Sequence, residues 1–274
     1  MIFLKTRIIS AVVGSALFAV IIAVSTFQPL VLGVVLSALC AMGVYEVLNN
    51  TGIVKVKAIT IVALVASVIF SLSIVINSVI LALLLNIFYF LVVVALTLKF
   101  HESIDMSALF ATFCAPVILS YAFSFIYHLF TVSNTKCFFF ALIFAFSWGS
   151  DTLAYFSGRF FGKKKLCPNI SPKKTVEGFI GGIIGSVVIS LIIYFIYKNF
   201  ITIKMSPLQL VLLSAVFSVI GVMGDLFASI IKRKTGIKDY GNIMPGHGGV
   251  LDRFDSVLLI SPLLYLAISV LSLS

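Results

Sequence analysis

The chain has 274 residues, 61% of them hydrophobic and only 10% charged, with a net charge of +10 and a mean hydropathy of +1.23. Water-soluble domains hold about 45–50% apolar and about 25% charged residues, so a soluble enzyme, a disordered chain and a disulfide scaffold are excluded. What remains is an all-α, polytopic integral membrane protein, whose positive balance fits cationic loops at an anionic leaflet rather than a nucleic-acid partner.

Apolar runs predict nine crossings, at residues 8–26, 30–48, 57–74, 78–98, 107–130, 137–157, 177–198, 207–231 and 254–273. Lys5 and Arg7 ahead of the first run resemble the start of a leader cleaved near Ala23-Val24-Ser25. A second apolar run follows at once, so the first helix is expected to stay as an anchor. The stretch from Ala58 to Leu98 is long enough for one helix or two. Splitting it at Ser73 to Ser78 gathers 16 of the 19 cations on the N-terminal side of the membrane, whereas a single helix divides them 7 to 12. The positive-inside rule therefore selects nine crossings with a cytoplasmic N-terminus. Cys40, Cys114, Cys137 and Cys167 form no CxxC pair and hold no zinc pattern.

With no repeat and no linker, residues 1–274 read as one integral domain. Six of the nine acidic residues fall between Asp151 and Asp255, together with two polar loops, 158–176 and 232–252, that this topology puts on the cytoplasmic side. Residues 1–136 are accordingly expected to be scaffold and 137–274 the catalytic half.

Asp225 lies near the end of an otherwise apolar helix, where an ionisable group is expensive and usually functional. Ser229 and Lys232, four and seven residues on, share its face, and Lys232 could alternatively neutralise it as a structural pair. The loop that follows carries Lys232-Arg233-Lys234, Lys238 and Pro245-Gly246-His247-Gly248-Gly249, and glycines among cations suit a phosphate-bearing ligand. Asp252 and Asp255 are three apart at a helix start. One Asp would serve as a cap, and the pair favours a hard divalent cation such as Mg²⁺. In the other loop, Ser171-Pro172 looks like a cap and first helical position, pointing a helix N-terminus at the same face. The Lys163 to Lys165 run reads as solvated or lipid-facing charge, and Gly178, Gly181, Gly182 and Gly185 as a helix-packing seam.

These residues resemble the phosphatidate cytidylyltransferases, or CDP-diacylglycerol synthases. That family's signature has the form S-x-x-K-R-x4-K-D-x-G followed by P-x-H-G-G-x-x-D-R-x-D. Here Ser229, Lys232, Arg233, Lys238, Asp239, Gly241, Pro245, His247, Gly248, Gly249, Asp252, Arg253 and Asp255 match it. Asp151 to Tyr155 and Ser171 to Thr175 are similar to two further family elements. Motif-level likeness runs from Trp148 to Ser256. Two departures are visible: Met244 replaces the usual Leu, Ile or Phe, and Ala228 stands where many members carry Glu.

The resemblance implies transfer of CMP from CTP to phosphatidate with Mg²⁺, a second cation being left open, in phospholipid biosynthesis. It implies Asp225, Lys232, Arg233, His247 and Asp252 as catalytic groups. Asp225, Asp252 and Asp255 would be metal ligands, and Asp151, Ser171, Lys174, Thr175, Ser229, Lys238 and Arg253 substrate contacts. The implied partners are CTP, phosphatidate and membrane lipids, without nucleic acid, a homodimer being left open. The implied location is a bacterial inner membrane with the site at the cytoplasmic face. Two alternatives stay open: a CTP-dependent polyprenol kinase or a cytidylyltransferase for another lipid phosphate, and, from a different class, a transporter. Against transport, the polar residues concentrate in one half of the chain.

Overall fold

The computed structural model describes residues 2–132, 137–243 and 248–273, with side chains from residue 12 onward apart from residue 79. Ten α-helices account for nearly all of it: α1 (Ile2–Phe27), α2 (Leu30–Tyr45), α3 (Lys57–Val75), α4 (Val79–Lys99), α5 (Met106–Thr131), α6 (Phe138–Phe144), α7 (Ser150–Phe161), α8 (Val176–Tyr197), α9 (Pro207–Lys234) and α10 (Leu251–Val270). Two π-helical turns, Glu46–Asn50 and Ala145–Gly149, extend α2 and join α6 to α7. Among the described residues, eight helical stretches are long and apolar enough to cross a membrane. The apolar segment Val12–Phe27 of α1 is a shorter ninth. Large apolar side chains such as Ile80, Phe88 and Leu91 of α4 face outward, as lipid contact requires and water would forbid. The chain is an all-α, multi-pass membrane protein.

The described chain falls into two compact units, Met1–Tyr127 with Lys234–Phe254, and His128–Arg233 with Asp255–Ser274. In the first, α2 packs on α3 and α3 on α4. Phe70 and Tyr89 meet edge to face at 5.4 Å, and the Tyr89 hydroxyl donates to the Thr112 carbonyl at 2.6 Å, so the aromatic core leaves no polar tip stranded. Small hydroxyls do the rest of the gluing. Ser37 donates to Ser71, and Ser120 and Ser124 of α5 donate to the Ser67 and Ser71 carbonyls of α3.

In the second unit the dominant contact is α7 against α8. A methyl added at Gly181 or Gly185 would overlap Ser157 or Leu153, and one at Gly178 would come within 2.8 Å of the Ala154 carbonyl oxygen. The glycine seam expected from the sequence thus lets the two helices touch backbone to backbone. Phe146 stacks on Phe217 at 5.6 Å, tying the π-helical turn before α7 to α9.

The segment between α7 and α8 departs from expectation twice. α7 runs on to Phe161, so Gly158 and Arg159 are helical rather than loop. Strands β1 (Lys165–Cys167) and β2 (Ser171–Thr175) then form an antiparallel hairpin, pairing Lys165 with Thr175 and Cys167 with Ser171. Ser171 and Pro172 therefore do not start a helix. Thr175 does, its hydroxyl accepting the Gly178 N–H at 3.1 Å from an extended backbone. Strand pairing has claimed the backbone that the Ser-Pro signal would have capped.

Candidate active site

Asp151 sits in the first turn of α7, and Tyr155 and Arg159 follow at intervals of four, so all three share one face of the helix. That face forms one wall of a cleft of about 520 Å³, contained in the second unit. The hairpin contributes Lys165, Lys173, Lys174 and Thr175, and α9 contributes Val222 and Asp225. Four cations and two carboxylates thus line one space, together with Gly178 and Phe179 of the first turn of α8.

The carboxylates are not isolated. Lys174 forms an ion pair with Asp225, each side chain about a quarter exposed at 23%. The ammonium is itself shielded from solvent. Asp151 lies in electrostatic range of both Lys174 and Asp225. Asp255, on α10, lies in range of Asp225, Asp151 and Lys232, while its Oδ1 accepts the Ser256 N–H at 2.7 Å. Three Asp side chains and two Lys side chains therefore make one charge cluster, held together by a partly buried, low-dielectric setting in which each attraction counts for more than in water.

Glu177 frames this cleft from outside it. Its carboxylate accepts the Lys163 N–H at 3.0 Å and the Lys164 N–H at 3.2 Å, pinning the start of the hairpin to the first turn of α8. The Lys163 and Lys164 side chains are exposed. Arg233, at the end of α9, reaches the hairpin instead, its Nε donating to the Ile170 carbonyl at 3.5 Å.

The first unit holds a second acidic pair. Asp252 Oδ2 accepts the Tyr240 N–H at 2.7 Å and the Gly249 N–H at 3.0 Å. Glu46, fully buried in the π-helical turn after α2, accepts the Val250 N–H on Oε1 and the Leu251 N–H on Oε2, both at 2.8 Å. Those contacts supply the start of α10 with acceptors, which is why the helix begins at Leu251 and not near 254 as the hydropathy suggested.

Of the residues singled out in the sequence, Asp151, Lys174, Thr175 and Asp225 line the cleft, and Asp255 and Lys232 join them electrostatically. Ser229 is buried one turn beyond Asp225. Ser171 lies in β2, and Arg233 beside the hairpin. Lys238 and Arg253 are exposed in the first unit, where Asp252 organises the backbone. His247 and Met244 lie outside the described residues. Arg159, Lys165 and Lys173 were read as loop or surface charge and are cleft walls. Among the described residues, no three His, Cys, Asp or Glu side chains surround one metal position.

The family model described as "Cytidylyltransferase family" matches residues 5–271. The chain belongs to the cytidylyltransferase family. Similar proteins named phosphatidate cytidylyltransferase occur in Bacillus subtilis, 45% identical over 125 residues, and in Staphylococcus haemolyticus, 40% identical over 156. A third, from Staphylococcus aureus, is 46% identical over 117 residues. These stretches cover 46%, 56% and 43% of this chain and 45%, 57% and 44% of the three relatives. The chain thus spans about half the length of the curated relatives it matches. Four cations lining one concave space suit a polyanionic ligand.

Proposed function

We propose that this protein transfers CMP from CTP to phosphatidate, giving CDP-diacylglycerol and pyrophosphate. The observation that carries the reading is the cleft in which Arg159, Lys165, Lys173 and Lys174 face Asp151 and Asp225. A phosphate oxygen of the lipid forms a bond to the α-phosphorus of CTP while the bond from that phosphorus to the α,β-bridging oxygen breaks. The electron pair leaves with pyrophosphate. The lipid phosphate is already ionised, so no strong base is needed. The protein's task is to neutralise two polyanions that must meet, and to hold them in line.

In this reading Lys165, Lys173 and Arg159 take the triphosphate, and Lys174 exchanges its partner Asp225 for a phosphate oxygen when substrate arrives. Asp225, Asp151 and Asp255 offer hard carboxylate oxygens, the donor type that Mg²⁺ selects. Mg²⁺ commonly needs only one or two carboxylates, the remaining positions coming from substrate phosphates and water, so the cluster fits it. Such an ion, when bound, neutralises charge on the transferring phosphoryl group. Asp252, whose Oδ2 already carries two backbone N–H groups, acts in this reading by shaping the loop that presents Lys238 and Arg253. The site lies at the cytoplasmic face of a bacterial plasma membrane, the N-terminus inside, as the 16 to 3 distribution of cations supports.

Purified protein given CTP labelled at the α-phosphate, with phosphatidate present and absent, tests the reading. Label is expected in lipid only when phosphatidate is supplied. Transfer from γ-labelled CTP alone would make the protein a lipid kinase, and no transfer of either label would remove the reading.

A further inference from the structure

Glu46 belongs to none of the motifs and stands as the lone acid in a membrane-spanning run, Leu30–Asn50. Among the described residues it is the one acid that is fully buried. The residue is 0% exposed, and each oxygen accepts one backbone N–H, from Val250 and Leu251, more than two hundred residues further along. Val250, the residue before α10, has no side chain able to cap a helix, so Glu46 supplies the cap from another helix. Nearby glycines are cut to fit. A Cβ at Gly241 would lie 2.7 Å from Glu46 Oε1, and one at Gly249 would overlap both carboxylate oxygens. Asn50, one turn on, donates from Nδ2 to the Tyr240 carbonyl at 2.8 Å. The Tyr240 and Gly249 N–H groups are the two that converge on Asp252. The π-helical turn Glu46–Asn50 is thus bolted to both sides of the segment that presents Lys238, Asp252 and Arg253. π-helical turns recur at functional sites because they re-aim side chains that a regular helix would send elsewhere.

We propose that Glu46 is a positioning residue for nucleotidyl transfer: by accepting the Val250 and Leu251 N–H groups it fixes the start of α10, the helix whose first turns carry Asp252, Arg253 and Asp255. The inference rests on the function proposed above. Neutralising Glu46 as Gln keeps the shape but must turn an NH₂ donor toward a backbone N–H, so one anchor is lost. Shortening it to Asp keeps the charge and withdraws it from its partners.

The test uses the full chain in lipid vesicles, as wild type, Glu46→Gln, Glu46→Asp and Asn50→Ala. Two quantities are read from each: hydrogen exchange at the Tyr240 and Gly249 to Leu251 amides, and the kcat and KM of CMP transfer over a Mg²⁺ series. Glu46→Gln is expected to lose protection at Val250 and Leu251 and to lower kcat by about ten- to a hundredfold, the usual range for residues that orient a site from behind. The CTP KM stays within a few-fold, and more Mg²⁺ is needed for half-maximal rate. Glu46→Asp recovers part of the rate. Asn50→Ala, which leaves the Glu46 anchor intact, changes both readouts in the same direction by less. Unchanged protection in Glu46→Gln would overturn the anchor. Lost protection with unchanged kcat and Mg²⁺ requirement per folded molecule would overturn the positioning role and leave a merely structural one. An inactive wild type with normal protection would instead remove the reaction proposed above, and the catalytic part of this inference with it.

Discussion

In the first unit, Glu46 and Asp252 spend their oxygens on backbone N–H groups. In the second, Asp225 meets the ammonium of Lys174, Asp151 lies in electrostatic range of both, and Asp255 joins them while accepting the N–H of its own neighbour Ser256. The difference is one of exchangeability. A backbone N–H cannot leave its carboxylate without the loop unfolding, so the first pair organises structure. A lysine at the end of four methylenes can swing to a phosphate, so the second cluster can trade its internal cation for a substrate's charges and ions. Acidic residues thus divide into those whose partners are backbone groups and those whose partners can be exchanged for a ligand.

Substitutions can break this contrast. Asp225→Asn keeps the shape and removes the charge, and is expected to lower CMP transfer on the order of 10²–10³-fold with membrane insertion and melting temperature little changed. Substantial activity would return Asp225 to a structural pair with Lys174. Gly249→Ala makes the opposite intervention, touching no charge. Its methyl collides with Glu46, and detergent-solubilised protein should lose about 1–3 kcal/mol of stability, read as a lower melting temperature. A normal melt would mean that Glu46 has room to move and that the first pair is looser than its contacts indicate.

Lys174→Met probes exchangeability directly. Losing a charged hydrogen bond to the triphosphate, worth about 1.5–3 kcal/mol, should raise the CTP KM about tenfold or more. Freeing Asp225 of its internal cation should at the same time lower the Mg²⁺ needed for half-maximal rate. Titrations moving both constants in one direction would show that Lys174 does not alternate between them. The smallest effect is expected at Lys163→Ala and Lys164→Ala. Their side chains are exposed and their hydrogen bonds to Glu177 come from backbone N–H groups, so less than about a twofold change should be seen, well below that of Lys232→Ala. Equal losses at all three would replace the cleft with a general attraction of cations for the membrane surface.

Hydropathy and charge asymmetry made the spans legible, because a lipid-facing helix must be apolar along its whole length whatever it packs against. Asp151, Lys174, Thr175 and Asp225 were legible too, through motif and through the cost of placing an Asp in an apolar helix. Three features were not. Arg159 looked like loop because the polar residues after Ser157 mimic one, although its spacing of eight from Asp151 marks a shared helix face. Ser171-Pro172 carried a genuine local capping signal that lost to hairpin pairing, an interaction no local pattern records. Glu46 finds its partners 204 and 205 residues away. The only sign in the sequence was a lone carboxylate within a membrane span, the kind of residue that warrants suspicion by itself.

The glycine seam between α7 and α8 has a mechanical side. With backbone close against backbone at Gly158 and Gly178, and the side chains of Ser150, Leu153, Ala154 and Ser157 filling the space beside Gly181, Gly182 and Gly185, the two helices have no room to slide past one another. The hairpin joining them is tethered at its base by Glu177 and by the Val176 N–H on the Lys164 carbonyl, while Pro168 and Asn169 at its tip stand in the open. Lys165, Lys173 and Lys174 all ride on this ribbon, which Arg233 and the Lys174–Asp225 pair also moor to α9, so the spacing of three of the cleft's cations is set by one short two-stranded piece of backbone.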